Sequence, residues 1–259
     1  ITNKIEKIIN QNILNFGTSG YFGTTNARLL YDYYGKNYKH SLILHVVSIP
    51  SDFEDDNYGL NKTLKTTQNR YRPYLINHKG NYIIEYSNKN LNLDNNKKIN
   101  LKDLLGSYTN FYHLLRLLKS YYNYSKISKE PKKNLKKTTN HYEDYNPEVL
   151  KIMKENFLHI KEESLKNNAK YMIILLPDYN TVVSNLDKIE TKLSSQLSSY
   201  SKMHDIYFLD TMKEIISNKI DINKLYYTNE KDYDCDSHIT PYGSNMYSEI
   251  ISNFLLKIN

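Results

Sequence analysis

Apolar positions along the chain follow two alternating patterns. Four short runs are almost continuously apolar, at residues 13–17, 41–49, 171–177 and 206–210. Such runs are typical of parallel strands whose two faces are both covered by helices. The segments between them repeat apolar residues every three or four positions, which predicts helices. Because strand and helix alternate, the pattern predicts an α/β fold, with a doubly wound, mainly parallel sheet and helices on both faces.

The predicted helices have recognisable ends and faces. The chain opens in the middle of a helical pattern that puts Ile1, Ile5, Ile8 and Ile9 on one face. Another helix covers 146–169, where Asn146 suits the N-cap and is followed by a proline at the first helical position. Further helical patterns cover 26–36, 182–203 and 243–258.

The alternation breaks down between about residues 55 and 145. Residues 72–87 read as a β-hairpin that turns at 78–81, because Gly80 supplies turn geometry between two apolar runs. An amphipathic helix is predicted over 101–122. We interpret 55–145 as an insertion in a single α/β domain spanning 1–259, of the kind that shapes or covers a site.

Charge and cysteine content exclude several classes of function. The net charge is +7, and six lysines fall between 126 and 137. This cluster contains no aromatic residue or arginine, so a solvated linker is favoured over a nucleic-acid interface. The single Cys235 excludes an intrachain disulfide and a cysteine-based metal cluster. No apolar stretch approaches the ~20 residues of a membrane span.

The beginning of the sequence bears on localisation. Ile1 is not a methionine and lies inside a predicted helix, so we expect that the true start of the protein is missing. Compartment is normally read from that region, and both a cytoplasmic and an exported protein fit the sequence.

The most informative stretch for chemistry is YDCDSHITPYGSNMYSEII, near the end of the chain. Asp236 and His238 stand two residues apart in a predicted loop before the last helix. A carboxylate beside a histidine is the pair that activates a nucleophile in hydrolysis: the carboxylate orients the ring, and the ring accepts the nucleophile's proton. A chance Asp-x-His in a surface loop is the alternative interpretation.

Two further stretches follow predicted strand ends. The run SLILHVVSIP leads into Ser51 and Asp52, where catalytic groups of open α/β sheets are found. The glycines of ILNFGTSGYFGTTN, at 17, 20 and 23, do not have the spacing of a dinucleotide-binding loop. They allow close backbone approach with free N–H groups, which suits an oxyanion hole better than a nucleotide site.

Taken in order, these three stretches resemble the SGNH, or GDSL-type, hydrolases. LNFGTSGYFGT is similar to the second sequence block of that family, LILHVVSIPSDFEDDN to the third, and DSHITPYGSNMYSEII to the last. RPYLINHKGNYIIEY also resembles a hairpin that some members insert after the third block. The resemblance covers nearly the whole chain and implies a flavodoxin-like three-layer sandwich.

The resemblance also implies a set of roles. His238 acts as the general base, Asp236 orients it (Asp234 being the alternative), and Gly20 with Ser51 forms the oxyanion hole. Ser51 stands where the family has an asparagine. If the second block lies at Gly20, the nucleophilic serine of the first block precedes residue 1. In a second interpretation FGTSG is itself a degenerate first block, in which Ser19 attacks.

The implied activity is that of a serine esterase. Its substrate is an acyl or acetyl ester, of a small molecule or a carbohydrate, and neither a metal nor an organic cofactor is needed. Two alternatives stay open: a catalytically inactive binding or assembly module of the same fold, and an enzyme that moves acetyl groups onto or off a polysaccharide.

Overall fold

The computed structural model describes residues 1–17, 22–63, 72–86, 118, 140, 142–188, 190–227 and 238–258. The chain divides into two units, Ile1–Ser87 with Thr139–Asn259 and Asn88–Thr138. The first unit contains the strands and helices that carry the described candidate residues. The helix predicted over 101–122 and the lysine cluster of 126–137 lie outside the described residues.

The first unit begins with α1 (Thr2–Ile9), α2 (Thr24–Tyr33) and β1 (Leu42–Ile49). Two short helices and a hairpin follow: α3 (Ser51–Asp56), α4 (Tyr58–Thr63), β2 (Pro73–His78) and β3 (Asn81–Tyr86). The second half contains α5 (Pro147–Lys166), β4 (Lys170–Pro177), α6 (Tyr179–Val183), α7 (Lys192–Met203), β5 (Tyr207–Asp210), α8 (Thr211–Ser217), α9 (Ile222–Leu225) and α10 (Pro241–Ile258).

A parallel sheet holds this unit together. Its strand order is β1-β4-β5, with Ile49 opposite Pro177 at the carboxyl end of the first pair and Met172 opposite Tyr207 in the second. The strands predicted at 41–49, 171–177 and 206–210 are therefore confirmed, and so is the α/β class.

The strand predicted at 13–17 is wrong, because these residues lie outside every strand. Side chains bind two of its amides instead of a neighbouring strand: Ile13 N–H donates to Glu6 Oε1 at 3.1 Å, and Gly17 N–H donates to Asn15 Oδ1 at 2.9 Å. Ile13 packs against a buried cluster, but Leu14 is 57% exposed. An apolar run alone was thus insufficient to predict pairing.

Apolar side chains cover both faces of the central strand. Tyr171, Ile173 and Leu175 of β4 join one buried cluster, whereas Met172 and Ile174, which point the other way, join a second. The helices fill the first cluster with Val149, Leu150, Met153, Phe157, Ile160, Leu193, Leu197 and Tyr247, and the second with Ile5, Ile251 and Leu255. This double coverage explains why β4 reads as a continuous apolar run.

The helix predictions are confirmed at 146–169 and corrected at 182–203. The side chain of Asn146 accepts the Glu148 N–H, as an N-cap should. The segment 182–203 is not one helix, because α6 ends at Val183 and α7 begins only at Lys192. Thr191 explains the new start, since its side chain accepts the Ser194 N–H.

The hairpin prediction is confirmed. β2 and β3 pair in antiparallel fashion, and His78 lies opposite Asn81 across the turn. Gly80 adopts φ +94°, a conformation that favours glycine. The interpretation of 55–145 as one insertion in a single domain stays a prediction.

Candidate functional site

The first candidate group lies just beyond the carboxyl end of β1. Ile49 ends the strand, and its carbonyl accepts the N–H of Asp178, which directly follows β4, at 3.1 Å. The segments that leave β1 and β4 are therefore adjacent. Ser51 begins α3 at this point and is exposed, so its hydroxyl is available to a ligand at the carboxyl edge of the sheet.

Asp52, the next residue, points inward and holds the strand end. It is only 9% exposed, and its Oδ2 accepts the Ser48 N–H at 2.8 Å. Burial raises the pKa of Asp52 well above its usual value and the negative charge of Asp56 raises it further, while the Ser48 hydrogen bond lowers it. Asp52 thus keeps a proton more readily than a surface carboxyl, and its contacts are structural.

His238 approaches the same edge from the other end of the chain. Its carbonyl accepts the Tyr227 N–H at 2.9 Å, and the following residue, Ile239, forms a β-bridge with Tyr226. The Tyr226 hydroxyl donates to the carbonyl of Pro177, the last residue of β4, at 2.8 Å. His238 is itself exposed. The His238 backbone is thus connected to the carboxyl end of β4 through the Tyr226 side chain.

The turn from His238 into α10 is fixed by packing on α9. The Thr240 N–H donates to the Leu225 carbonyl at 2.9 Å, and Thr240 Oγ1 caps the helix by accepting the Gly243 N–H at 2.9 Å. A Cβ at Gly243 would lie 2.2 Å from the Leu225 oxygen. Glycine at position 243 therefore allows the close contact between α9 and α10.

The remaining predicted site residues lie outside the described residues. These are Asp236, with its alternative Asp234, and also Gly20 and Ser19. Of the predicted set, Ser51, Asp52 and His238 are described; the first two directly follow β1, and His238 is connected to the end of β4 through Tyr226. The carboxylate–imidazole pair and the oxyanion hole stay predictions.

Sequence reasoning missed Asp56, which fixes the start of α2. Its Oδ2 accepts the N–H of Thr24 at 2.8 Å and the Thr24 hydroxyl at 2.5 Å, and its Oδ1 accepts the Thr25 N–H at 3.1 Å. Burial raises the pKa of Asp56, and the hydrogen bonds from both threonines oppose this. Its partners lie 31 and 32 residues away in the sequence, so no local pattern could reveal them.

A tyrosine cluster behind the edge was also missed. The hydroxyls of Tyr226 and Tyr247 lie 2.5 Å apart, and both residues are buried with Tyr142 in the larger apolar cluster. Burial raises the pKa of all three phenols. These tyrosines are therefore neutral side chains in the core next to Pro177, the last residue of β4. Nothing in the sequence distinguishes them from other core tyrosines.

The described residues offer no obvious metal site and no membrane-crossing helix. In this part of the chain, His, Cys, Asp and Glu side chains nowhere gather in threes around a point that could hold a metal ion. Of the helices within the described ranges, none combines the length and apolar character that crossing a bilayer requires.

Comparison of the chain with protein-family models, with curated proteins and with solved structures finds no match. The function is therefore argued from the geometry of the site and from the short stretches that resemble the SGNH hydrolases.

Proposed function

We propose that the protein is a serine esterase of the SGNH type, which cleaves an acyl or acetyl ester through an acyl-enzyme. The proposed fold is the flavodoxin-like three-layer sandwich of that family. Three stretches that resemble family blocks, in the family's order, support this proposal. The parallel sheet covered on both faces supports it as well.

One observation carries the proposal. Ser51 directly follows the carboxyl end of β1, and His238 precedes the last described helix and is connected to the carboxyl end of β4 through Tyr226. Open α/β folds bind ligands at the carboxyl edge of the sheet. A base and a hydrogen-bond donor are two of the parts that acyl transfer requires, and the proposal assigns these roles to His238 and Ser51.

The proposed mechanism assigns one role to each group. A serine upstream of Ile1 attacks the ester carbonyl, and His238 accepts the serine proton while Asp236 orients the ring. The Gly20 N–H and the Ser51 hydroxyl stabilise the oxyanion. His238 then protonates the leaving alcohol, and water attacks the acyl-enzyme in a second, equivalent step.

The proposal assigns the strand that carries the nucleophile to the edge of β1. Within the described residues β1 is an edge strand of the three-stranded sheet. A long apolar edge strand is usually covered in native proteins. The assignment of the nucleophile to a preceding segment is compatible with this open edge.

The decisive experiment assays the complete protein, including any segment before Ile1, with short p-nitrophenyl esters. Because general base catalysis contributes roughly 10²–10⁴-fold, His238→Ala should lower kcat/KM by about that factor. His204→Ala is the matched control, because it removes an imidazole that packs against Tyr200 of α7 and has no role in the proposed mechanism. Equal activity of wild type and His238→Ala would contradict the proposal.

The nucleophile is tested separately by Ser19→Ala. We expect this variant to retain turnover, because the nucleophile is assigned upstream. Loss of turnover with the fold intact, as judged by circular dichroism, would instead make Ser19 the attacking residue.

Two other candidates are an inactive binding or assembly module of the same fold and an acetyl transferase acting on polysaccharide. Ser51 favours the inactive module because it replaces the family's oxyanion-hole asparagine with a shorter side chain that has a single donor. Reading the sequence upstream of Ile1 distinguishes the esterase from the inactive module, because a Gly-Asp-Ser after an apolar run favours the enzyme. Adding a polysaccharide acceptor to the assay distinguishes transfer from hydrolysis.

A further inference from the structure

Asp56 forms a buried connection between two segments that are distant in sequence. It is the last residue of α3 and is 2% exposed. Both of its carboxylate oxygens bind the first turn of α2, through the N–H groups of Thr24 and Thr25 and the Thr24 hydroxyl. A carboxylate can accept all three hydrogen bonds, whereas an amide has one acceptor oxygen and would point its NH₂ at a donor.

The contact extends to the backbone before α2. Gly23 is the N-cap residue of α2, and a Cβ built there would lie 2.6 Å from Asp56 Oδ1 and 3.1 Å from the Asp56 nitrogen. Only glycine fits this approach without a shift of one segment. Gly23, the last of the three glycines at 17, 20 and 23, therefore lies directly against α3.

Other buried groups also bind the first turn of α2. The Asn156 side-chain amide, on α5, donates to the hydroxyl oxygens of Thr24 and Thr25, each at 3.0 Å. The Leu75 N–H, on β2, lies 3.4 Å from Thr25 Oγ1. Both threonines and Asn156 are at most 1% exposed. The first turn of α2 is thus bound by three separate elements, and Asp56 supplies the only anionic partner among these described contacts.

We propose that Asp56 is a positioning residue that anchors Gly23 and the start of α2 to α3. α3 begins with Ser51 and ends with Asp56, so a single short helix connects the anchor to the exposed hydroxyl. Fixing Asp56 against Gly23 therefore fixes Ser51 relative to the start of α2. The catalytic consequence rests on the proposed function, in which Gly20, three residues before Gly23, and Ser51 supply the two oxyanion-hole donors.

The anchor is tested without any substrate by hydrogen exchange of the 259-residue chain. Asp56→Asn should speed exchange of the amides of 22–26 at least tenfold and leave β4 unchanged, because the loss is local. Asp187→Asn, at an exposed position, is the control for removing one carboxylate. Unchanged exchange in 22–26, or an equal rise in every strand, would overturn the proposal.

A second variant guards against misfolding of the first. Gly23→Ala perturbs the same contact from the other side and should also speed exchange of 22–26. Gly59→Ala is its matched control, since a Cβ there meets only Asn57 Oδ1 at an ordinary 3.6 Å. Identical exchange in Gly23→Ala and Gly59→Ala would count against the anchor.

The catalytic consequence is tested in the complete protein with the p-nitrophenyl ester assay. Asp56→Asn should lower kcat at least tenfold and change KM less than twofold, because the oxyanion donors act in the transition state. Faster exchange of 22–26 with an unchanged kcat would overturn the positioning role. If the complete wild-type protein hydrolyses no ester while the exchange results hold, the proposed function fails and the anchor stands.

Discussion

His45 shows at the scale of one residue how burial sets a pH response. It lies on β1, is 8% exposed, and shares a 2.7 Å hydrogen bond between its Nδ1 and the Tyr171 hydroxyl. The Phe157 ring packs edge-on against the His45 ring, with 5.4 Å between the two ring centroids. Burial lowers the pKa of His45 to about 4, so the native protein holds this ring neutral.

Acid should therefore destabilise the protein through His45. The unfolded chain takes up the proton near pH 6.5, whereas the native state does so only near 4, so the free energy of unfolding falls as pH drops between these values. The full loss is about 3 kcal/mol. Urea denaturation at pH 7.0, 5.5 and 4.5 measures it. His45→Gln should reduce the dependence of the unfolding free energy on pH, and the control His78→Gln, at an exposed position, should not. An equal pH dependence in wild type and His45→Gln would contradict the prediction.

Asp52 should respond to pH in the opposite sense. Burial raises its pKa in the native state, so above the unfolded value of about 3.8 the unfolded chain releases the proton first, and stability falls as pH rises. Asp52→Asn keeps an acceptor for the Ser48 N–H and removes this cost. We expect the melting temperature of the variant, relative to wild type, to increase between pH 4 and pH 8. The control Asp144→Asn, at an exposed position, should show no such trend. A melting-temperature difference between Asp52→Asn and wild type that does not change with pH would contradict the prediction.

The start of α10 illustrates what the sequence conveys about an element. The apolar pattern predicted a helix over 243–258, and α10 begins two residues earlier, at Pro241. The sequence could not reveal why position 243 is glycine. The reason is tertiary, because the Leu225 carbonyl of α9 occupies the space of a Cβ.

Gly243→Ala should therefore separate α9 from α10. Since backbone atoms cannot yield easily at 2.2 Å, we expect a loss of roughly 1–3 kcal/mol, typical of overpacking. Thermal and urea denaturation measure this loss. Asn245→Ala, exposed on the same helix, is the control and should cost less than about 0.5 kcal/mol. A Gly243→Ala variant as stable as Asn245→Ala would show that the helices adjust freely.

Strands that are covered on both faces were the easiest elements to predict. The runs at 41–49 and 171–177 were identified because buried parallel strands are apolar throughout. The run at 13–17 has the same composition but no strand partner among the described residues, which a local pattern cannot reveal. The rule that catalytic groups follow strand carboxyl ends pointed to Ser51 and Asp52, whereas the partners of Asp56 depend on tertiary packing alone.

At the scale of the whole molecule, contact between α1 and α10 closes the second apolar cluster. Ile5 of α1 is 3% exposed and packs with Ile251 and Leu255 of α10. A hydrogen bond from Ser248 Oγ to the Ile1 carbonyl, at 3.3 Å, accompanies this contact. The face predicted for α1 is correct at Ile5, but Ile8 is 38% exposed.

Two alanine variants of α1 should consequently differ in stability. Ile5→Ala removes a buried side chain and should cost about 2–4 kcal/mol, whereas Ile8→Ala should cost less than about 1 kcal/mol. Urea denaturation of both variants provides the comparison. Equal losses would mean that α1 packs through the whole predicted face.

The long excursion between β1 and β4 has a consequence for how this chain can vary. The chain leaves the sheet at Ile49 and returns at Lys170, yet the two strands pair directly. Each doubling of a flexible loop adds only about 0.6 kcal/mol of closure entropy. Flexible sequence added within this excursion should therefore cost the sheet little, although α5 cannot be lost because it fills the first apolar cluster. The remote pairing of β1 with β4 should be a slow step of folding.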